Sequence, residues 1–394
     1  MNLRRFGVKL LAGLALLSAT APTTAAFAQE DKEPILVGAN YELSGYSASY
    51  GVALFEALEL AVEQVNANGG LLDGRPVELV YADNQSDKTE TVSVATKLIE
   101  DGVVAIVGPG ATDVAMVQSQ IIEDAGVPTL IPAATADHLT TNPEGDVYNY
   151  LFRLASTYTF QANAAARFAQ DQFGATKAVV LVDQSNDYSV GQAGPFVEEF
   201  ERLGGEIVRE ESYTGGETDF MGILTTLLAE DFDVIYLPAF YTEGGLITKQ
   251  AREMGITQPI LSGHGFASDT LVELAGAENA TDLYYTSHFH TGSESPVVQE
   301  FIAAYEAKFG KKPDTFGALG YDAANLLFQA IEDAGSTDRD AVRDAIENTK
   351  QFDGVTGSFS FDDYHNAVKT APMLHMVNGE IVDVFEVDGS TVTE

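Results

Sequence analysis

Two turns built from small residues carry the most suggestive chemistry in this chain. Gly108-Pro109-Gly110-Ala111-Thr112 leads out of an apolar run and into a helical pattern. Small side chains let the backbone approach a ligand closely. The free N–H groups and positive dipole end of a helix start suit an anion. Thr112 has a plainer role open to it as the helix N-cap, worth about 1 kcal/mol. Pro132-Ala133-Ala134-Thr135 supplies a second close approach with another hydroxyl. As a pair, the turns describe a seat for a carboxylate. Neither is a nucleotide fingerprint: Gly108-x-Gly110 lacks the third glycine, and no Walker glycine-lysine loop exists. No cofactor is expected.

Other reactive residue types form weaker patterns. His288-x-His290 on a strand would turn both rings to one face, and with His264 could hold zinc. No acid or cysteine stands at diagnostic spacing, so polar lining and hinge hydrogen bonds account better for the three, and no metal site is expected. Catalytic signatures are missing: no G-x-S-x-G elbow, no H-E-x-x-H helix and no cysteine. The many acids fall mostly in helical stretches, where a solvated face is the usual role. A binding protein, not an enzyme, is expected.

Alternating strands and helices must position these turns. Residues 35–40, 77–83, 103–109 and 127–133 read as strands, with helices over 51–68, 89–100 and 112–124 between them. Leu54, Leu58, Ala61, Val62 and Val65 share one face of the first helix, and Gly69-Gly70 stops it. The pattern restarts with helices at 160–173, 194–203, 220–230 and 245–254. Strands at 177–183, 206–212, 233–240 and 259–262 accompany them. Helices at 297–309, 317–334 and 338–349 follow, and a hairpin turns about Asn378-Gly379. This is the signature of two doubly wound parallel α/β sheets. No flexible linker separates them, so a hinge of ordinary strands is expected. Ligands of such sheets bind beyond the strands' carboxyl ends. The loops there are 41–50, 108–113 and 133–137 in the first unit, and 184–188, 240–243 and 263–266 in the second.

Composition narrows the setting. Arg4, Arg5 and Lys9, an apolar core over 10–19 and Ala26-Phe27-Ala28 spell a secretory signal peptide cleaved after Ala28. A periplasmic protein starting at Gln29 is expected. The remaining chain of about 366 residues suits two domains. With no cysteine there is no disulfide, no thiol chemistry and no lipid-modified cysteine. A formal charge of -38 repels nucleic acid and anionic lipid. No basic helix-turn-helix precedes the first unit, which argues against a transcription regulator of similar build, while a sensory binding module stays open as an alternative.

The ordered set Tyr50-Gly51, Asn66 to Gly70 (NANGG), Ile106 to Gly108, Ala125 to Pro128, PAAT at 132–135, Tyr188 with Gly191, Thr218-Asp219-Phe220, Gln250-Ala251-Arg252 and FDGVTG at 352–357 resembles the leucine/isoleucine/valine-binding family of periplasmic proteins. The resemblance implies a type I periplasmic binding fold serving an ABC permease as a monomeric receptor. It implies crossings near Arg153, Thr286 and Phe361, giving one lobe of 29–153 with 286–361 and another of 154–285 with 362–394. The family's carboxylate seat falls on Thr112, Ala133 and Thr135, and its first-lobe aromatic on Tyr50. From the second lobe Tyr188 closes over the ligand, and a further aromatic falls on Phe240, where the family often has tyrosine, with Tyr241 as its substitute. The acid that holds a ligand ammonium falls on His264, a departure. A protonated histidine cannot answer an ammonium, and a neutral one accepts a weaker bond. Either Glu243 or another acid supplies the charge, or the ligand is a keto acid, aromatic acid or amide. A histidine titrating near neutrality there would make affinity pH-dependent.

Overall fold

The computed structural model describes residues 32–387, so the leader and its cleavage signal lie outside the described residues. The chain opens with β1 (Ile35–Tyr41), α1 (Ala48–Ala67), β2 (Val77–Asp83), α2 (Lys88–Glu100), β3 (Ala105–Val107), α3 (Thr112–Ala125), β4 (Thr129–Ile131) and β5 (Leu151–Arg153). These strands form one parallel sheet ordered β2-β1-β3-β4-β5. The apolar runs of β1, β3, β4 and β5 are buried on both faces, as expected of strands covered by helices on each side, whereas the edge strand β2 is only partly buried.

A second sheet follows. Its elements are α4 (Tyr158–Phe173), β6 (Lys177–Asp183), α5 (Asp187–Arg202), β7 (Glu206–Tyr213), α6 (Met221–Leu227), β8 (Val234–Tyr236), α7 (Tyr241–Glu253), β9 (Ile260–Ser262), α8 (Asp269–Ala275) and β10 (Leu283–Thr286). After β10 come α9 (Pro296–Phe309), α10 (Thr315–Ala334), α11 (Arg339–Glu347), β11 (Phe352–Gly354), β12 (Gly357–Phe361), β13 (Ala367–Val368), β14 (Met373–Val377) and β15 (Glu380–Phe385). The second sheet is ordered β15-β14-β10-β9-β8-β6-β7, and β11-β12-β13 form a small sheet of their own. The second sheet is not wholly parallel, because β14 and β15 add an antiparallel edge.

Helices α9 and α10 pack back on α1 of the first sheet. Gly320 makes the α1–α10 approach possible: a Cβ there would lie 2.6 Å from the Leu54 carbonyl oxygen. The chain thus passes between the sheets after Arg153, after Thr286, and between Phe361 and Met373. Polar groups tie these passages together. Arg153 is wholly buried and donates from Nε to Asn366 Oδ1 (3.0 Å) and from its guanidinium to the Ala136 carbonyl. Ser156, beyond the first passage, meets His288 Nε2, beyond the second, at 3.4 Å.

Several expected elements shift. Helix α5 starts at Asp187, not 194, because Asn186 caps it by accepting the Tyr188 N–H. Strand β8 is three residues long, against an expected run of 233–240. His288 and His290 follow the end of β10, so no strand aligns their rings.

Candidate functional site

Helix starts and strand ends from both sheets meet in one place. Tyr50, Gly110, Ala111, Thr112, Ala133, Tyr188, Phe240, His264, Gly265 and Phe316 surround a cavity of about 10 Å³. Six of the eight residues expected from the sequence line it. Thr135 stands behind Thr112, and Tyr241 backs Tyr50 with ring centroids 5.0 Å apart.

Thr112 does not cap α3, where Ala111 holds the cap position without a side-chain bond. The Thr112 hydroxyl instead accepts the Thr135 N–H (3.0 Å) and lies 3.3 Å from Thr135 Oγ1. The two small-residue turns are therefore fastened to each other. Glu42, at the exit of β1, was not foreseen as part of this wall. Its buried carboxylate accepts the Gly110 and Ala111 N–H groups at 3.1 and 3.0 Å.

The second-sheet wall is aromatic. Tyr188 is held by the Gly265 N–H, which donates to its hydroxyl at 3.0 Å. Gly263 must be glycine for this packing, since a Cβ would lie 2.4 Å from the Tyr188 hydroxyl and 2.6 Å from Gln161 Oε1. Gln161 Oε1 accepts from both His264 N–H (3.0 Å) and Thr286 Oγ1 (3.1 Å). It thereby joins α4, the loop after β9 and the end of β10.

The two walls touch directly. The Tyr50 hydroxyl donates to the Gly265 carbonyl (2.5 Å) and accepts the Tyr241 N–H (3.0 Å). Tyr50 meets Phe240 edge-on at 5.3 Å and stacks on Phe316 at 4.1 Å. Ser49 and Ser268 pair through their hydroxyls at 2.8 Å. A benzene-sized guest fills about 150 Å³, so a solute of amino-acid size needs these walls to part.

Burial pushes the His264 imidazole down to about 3, so the ring is neutral where it lies in this closed pocket. Its Nδ1 has no hydrogen-bond partner. Glu243 does not line the cavity, and its Oε1 takes the Gly216 N–H at 2.9 Å. Among the described residues, no group of three or more His, Asp or Glu side chains is placed to hold a metal.

Phe316 and Glu42 escaped the sequence reading. Asp314, which accepts the Gly317 N–H, marks the start of α10 and thus the place of Phe316. Glu42 lies in the 41–50 loop expected at a strand's carboxyl end, but no motif singled it out within that loop.

These two sheets, with a site where their strand ends face one another, define a solute-binding protein rather than an enzyme. The profile of the periplasmic binding protein family matches residues 34–380, and the chain belongs to that family. The substrate-binding protein LivJ of a branched-chain amino acid transporter from Streptococcus pneumoniae, solved with isoleucine, is 39% identical. It superposes with a TM-score of 0.85 over 90% of this chain and 99% of its own. A leucine-binding protein LivK from Thermotoga maritima is 33% identical, with a TM-score of 0.82 over 89% and 98%. The Leu/Ile/Val-binding protein BraC3 of Rhizobium johnstonii is 29% identical over 88% of this chain and 93% of its length. The fold is that of type I periplasmic binding proteins. Among the described residues, no helix is long and apolar enough to cross a membrane.

Proposed function

We propose that this protein is the receptor of an ABC importer and captures a neutral amino acid, branched-chain in the first instance, by hinge closure. The observation that carries this reading is the meeting of Tyr50, Thr112, Ala133, Tyr188, Phe240 and His264 around one cavity between the two sheets. The pneumococcal relative solved with isoleucine supports the ligand class. The lobes divide as residues 29–153 with 286–361 and 154–285 with 362–394, and the passages at Arg153, Thr286 and Phe361 act as the hinge. In the open form the ligand carboxylate meets Thr112, Ala133 and Thr135. Closure brings Tyr188, Phe240 and His264 onto it, and Tyr241 steadies Tyr50. Only contacts made in the closed state shift the equilibrium towards it. The exported monomer, cleaved after Ala28, then docks a membrane permease.

One observation favours a second reading. His264 is neutral and Glu243 does not line the cavity, so no second-wall acid waits for an ammonium. A 2-oxo acid, aromatic acid or amide would fit such a wall. A thermal-shift screen decides between them. Ligand at about a hundred times its dissociation constant adds roughly 2.7 kcal/mol of stability. Stabilisation by isoleucine, leucine or valine supports the first reading. Stabilisation by the matching 2-oxo acids, without response to any amino acid, selects the second.

A further inference from the structure

Glu42 is wholly buried beneath the turn that seats the ligand. Its Oε1 lies 3.1 Å from the Gly110 nitrogen and 3.0 Å from the Ala111 nitrogen, and its Oε2 lies 3.2 Å from the Gly110 nitrogen. Gly110 and Ala111 are themselves cavity walls. The fit is tight: a Cβ on Gly110 would lie 2.4 Å from Leu54 Cδ1 and 3.3 Å from Glu42 Oε2. No ion pair among the described residues includes Glu42. The titratable groups facing it are Tyr41, Tyr46 and Asp113. Tyr46 donates its hydroxyl to Asp113, and Lys88 acts on Asp113 rather than on Glu42. The chain has thus placed an acid of its own against the amides of the turn that leads into α3.

We propose that solute capture is proton-linked through Glu42: the ligand carboxylate and the Glu42 carboxylate share one glycine turn, and the ligand is held best when Glu42 carries a proton. This rests on the reading above that the turn at 110–112 faces a ligand carboxylate. Like charges across so thin a wall in a water-poor site favour the protonated acid. Burial, opposed by the two amides, already raises the Glu42 carboxyl to about 7. A proton is taken up as the ligand binds. Affinity is greatest below pH 7 and falls, by at most about tenfold per pH unit, as the pH rises above it. The opposite sign would mean that ionised Glu42 answers a ligand ammonium.

Titration calorimetry of the wild-type protein with L-isoleucine and with its 2-oxo acid, from pH 5.5 to 8.5 in buffers of different ionisation enthalpy, tests this without any variant. The expected result is uptake approaching one proton per ligand above pH 7, with the dissociation constant rising by up to about 25-fold between pH 6.5 and 8.5. Glu42→Gln keeps an acceptor for the two amides and should flatten that slope. A purely structural Glu42 would leave it unchanged. Binding without proton uptake, affinity that rises with pH, or a Glu42→Gln profile parallel to wild type overturns the linkage alone. If neither probe binds at any pH, the carboxylate reading of the site fails, and the linkage with it.

Discussion

On the first-sheet wall of the pocket, polar groups are bound to one another. Thr112 holds Thr135, and Glu42 holds Gly110 and Ala111. On the second-sheet wall, aromatic rings stack around an imidazole whose Nδ1 has no partner. The first wall is fixed before any ligand arrives. The second is held mainly by ring packing against Gly263 and Gly265, with single bonds to Tyr188 and to the His264 backbone. Such a division suits a receptor that seats a charged group on one side and closes an apolar cover from the other. It also makes the two walls differ in what a mutation or a pH change does to them.

The largest effect should come from truncating the aromatic cover. Tyr188 is 2% exposed and packs against Phe240 at 5.1 Å and Tyr158 at 6.2 Å. Tyr188→Ala should cost about 3–5 kcal/mol of stability by denaturant unfolding as well as weakening ligand binding. A change of less than about 1 kcal/mol would show that the cover is already loose. Thr112→Ala tests the other wall. It leaves the buried Thr135 N–H without its acceptor, which should cost about 1–3 kcal/mol and weaken carboxylate binding. Thr112→Ser keeps the hydroxyl and should restore both. Equal defects in Ala and Ser variants would mean that the methyl group, not the hydroxyl, matters.

A pH experiment separates the walls by sign. His264 has a folded pKa depressed to about 3 by burial, so its contribution to stability is complete above its unfolded pKa and is lost as pH falls below about 6.5. At pH 5.5 this loss is about 1.4 kcal/mol relative to neutral pH. His288, shifted the same way by burial, Lys369 and His264, adds to the slope. His264→Gln should therefore make the acid limb of the stability curve shallower without removing it. Glu42 runs the other way: its folded pKa is raised, so its contribution is complete near pH 4 and lost as pH climbs towards 7. If His264→Gln left the acid limb unchanged, the ring would be solvated rather than buried.

The sequence showed the frame of this site better than its chemistry. Strands β2 and β6 were readable to the residue, because long apolar runs bounded by turn residues have few alternatives. Helix α5 was not. Gly191 looks like a breaker, but a Cβ there would lie 2.2 Å from the Tyr158 ring, so a glycine is required by a contact 33 residues away in sequence. The short strands β5 and β10 were missed because three or four residues carry too little periodicity. His264 could be placed in the pocket by resemblance, but its charge could not, since that depends on how deeply the fold buries it. Glu42 shows the same limit from the other side. A lone acid in a loop reads as solvated until the turn at 110 folds over it.

The smallest expected effect lies between the walls rather than in either. Lys88, in the first turn of α2, meets Asp187, in the first turn of α5, at 3.3 Å across the two sheets' helices. The side chains are 53% and 56% exposed, so water and salt screen the pair. Exposed pairs of this kind contribute about 0.2–1 kcal/mol, and Lys88→Ala should change global stability within that range. Its influence on closure is more specific, because parting the walls separates the pair whereas local fraying of one sheet does not. Ligand dissociation should therefore quicken in Lys88→Ala by no more than about fivefold, and the difference from wild type should vanish by about 0.5 M salt. A difference that persists at high salt would mean that Lys88 acts through packing. Equal dissociation rates at low salt would leave closure to Tyr50, Ser49 and the aromatic cover.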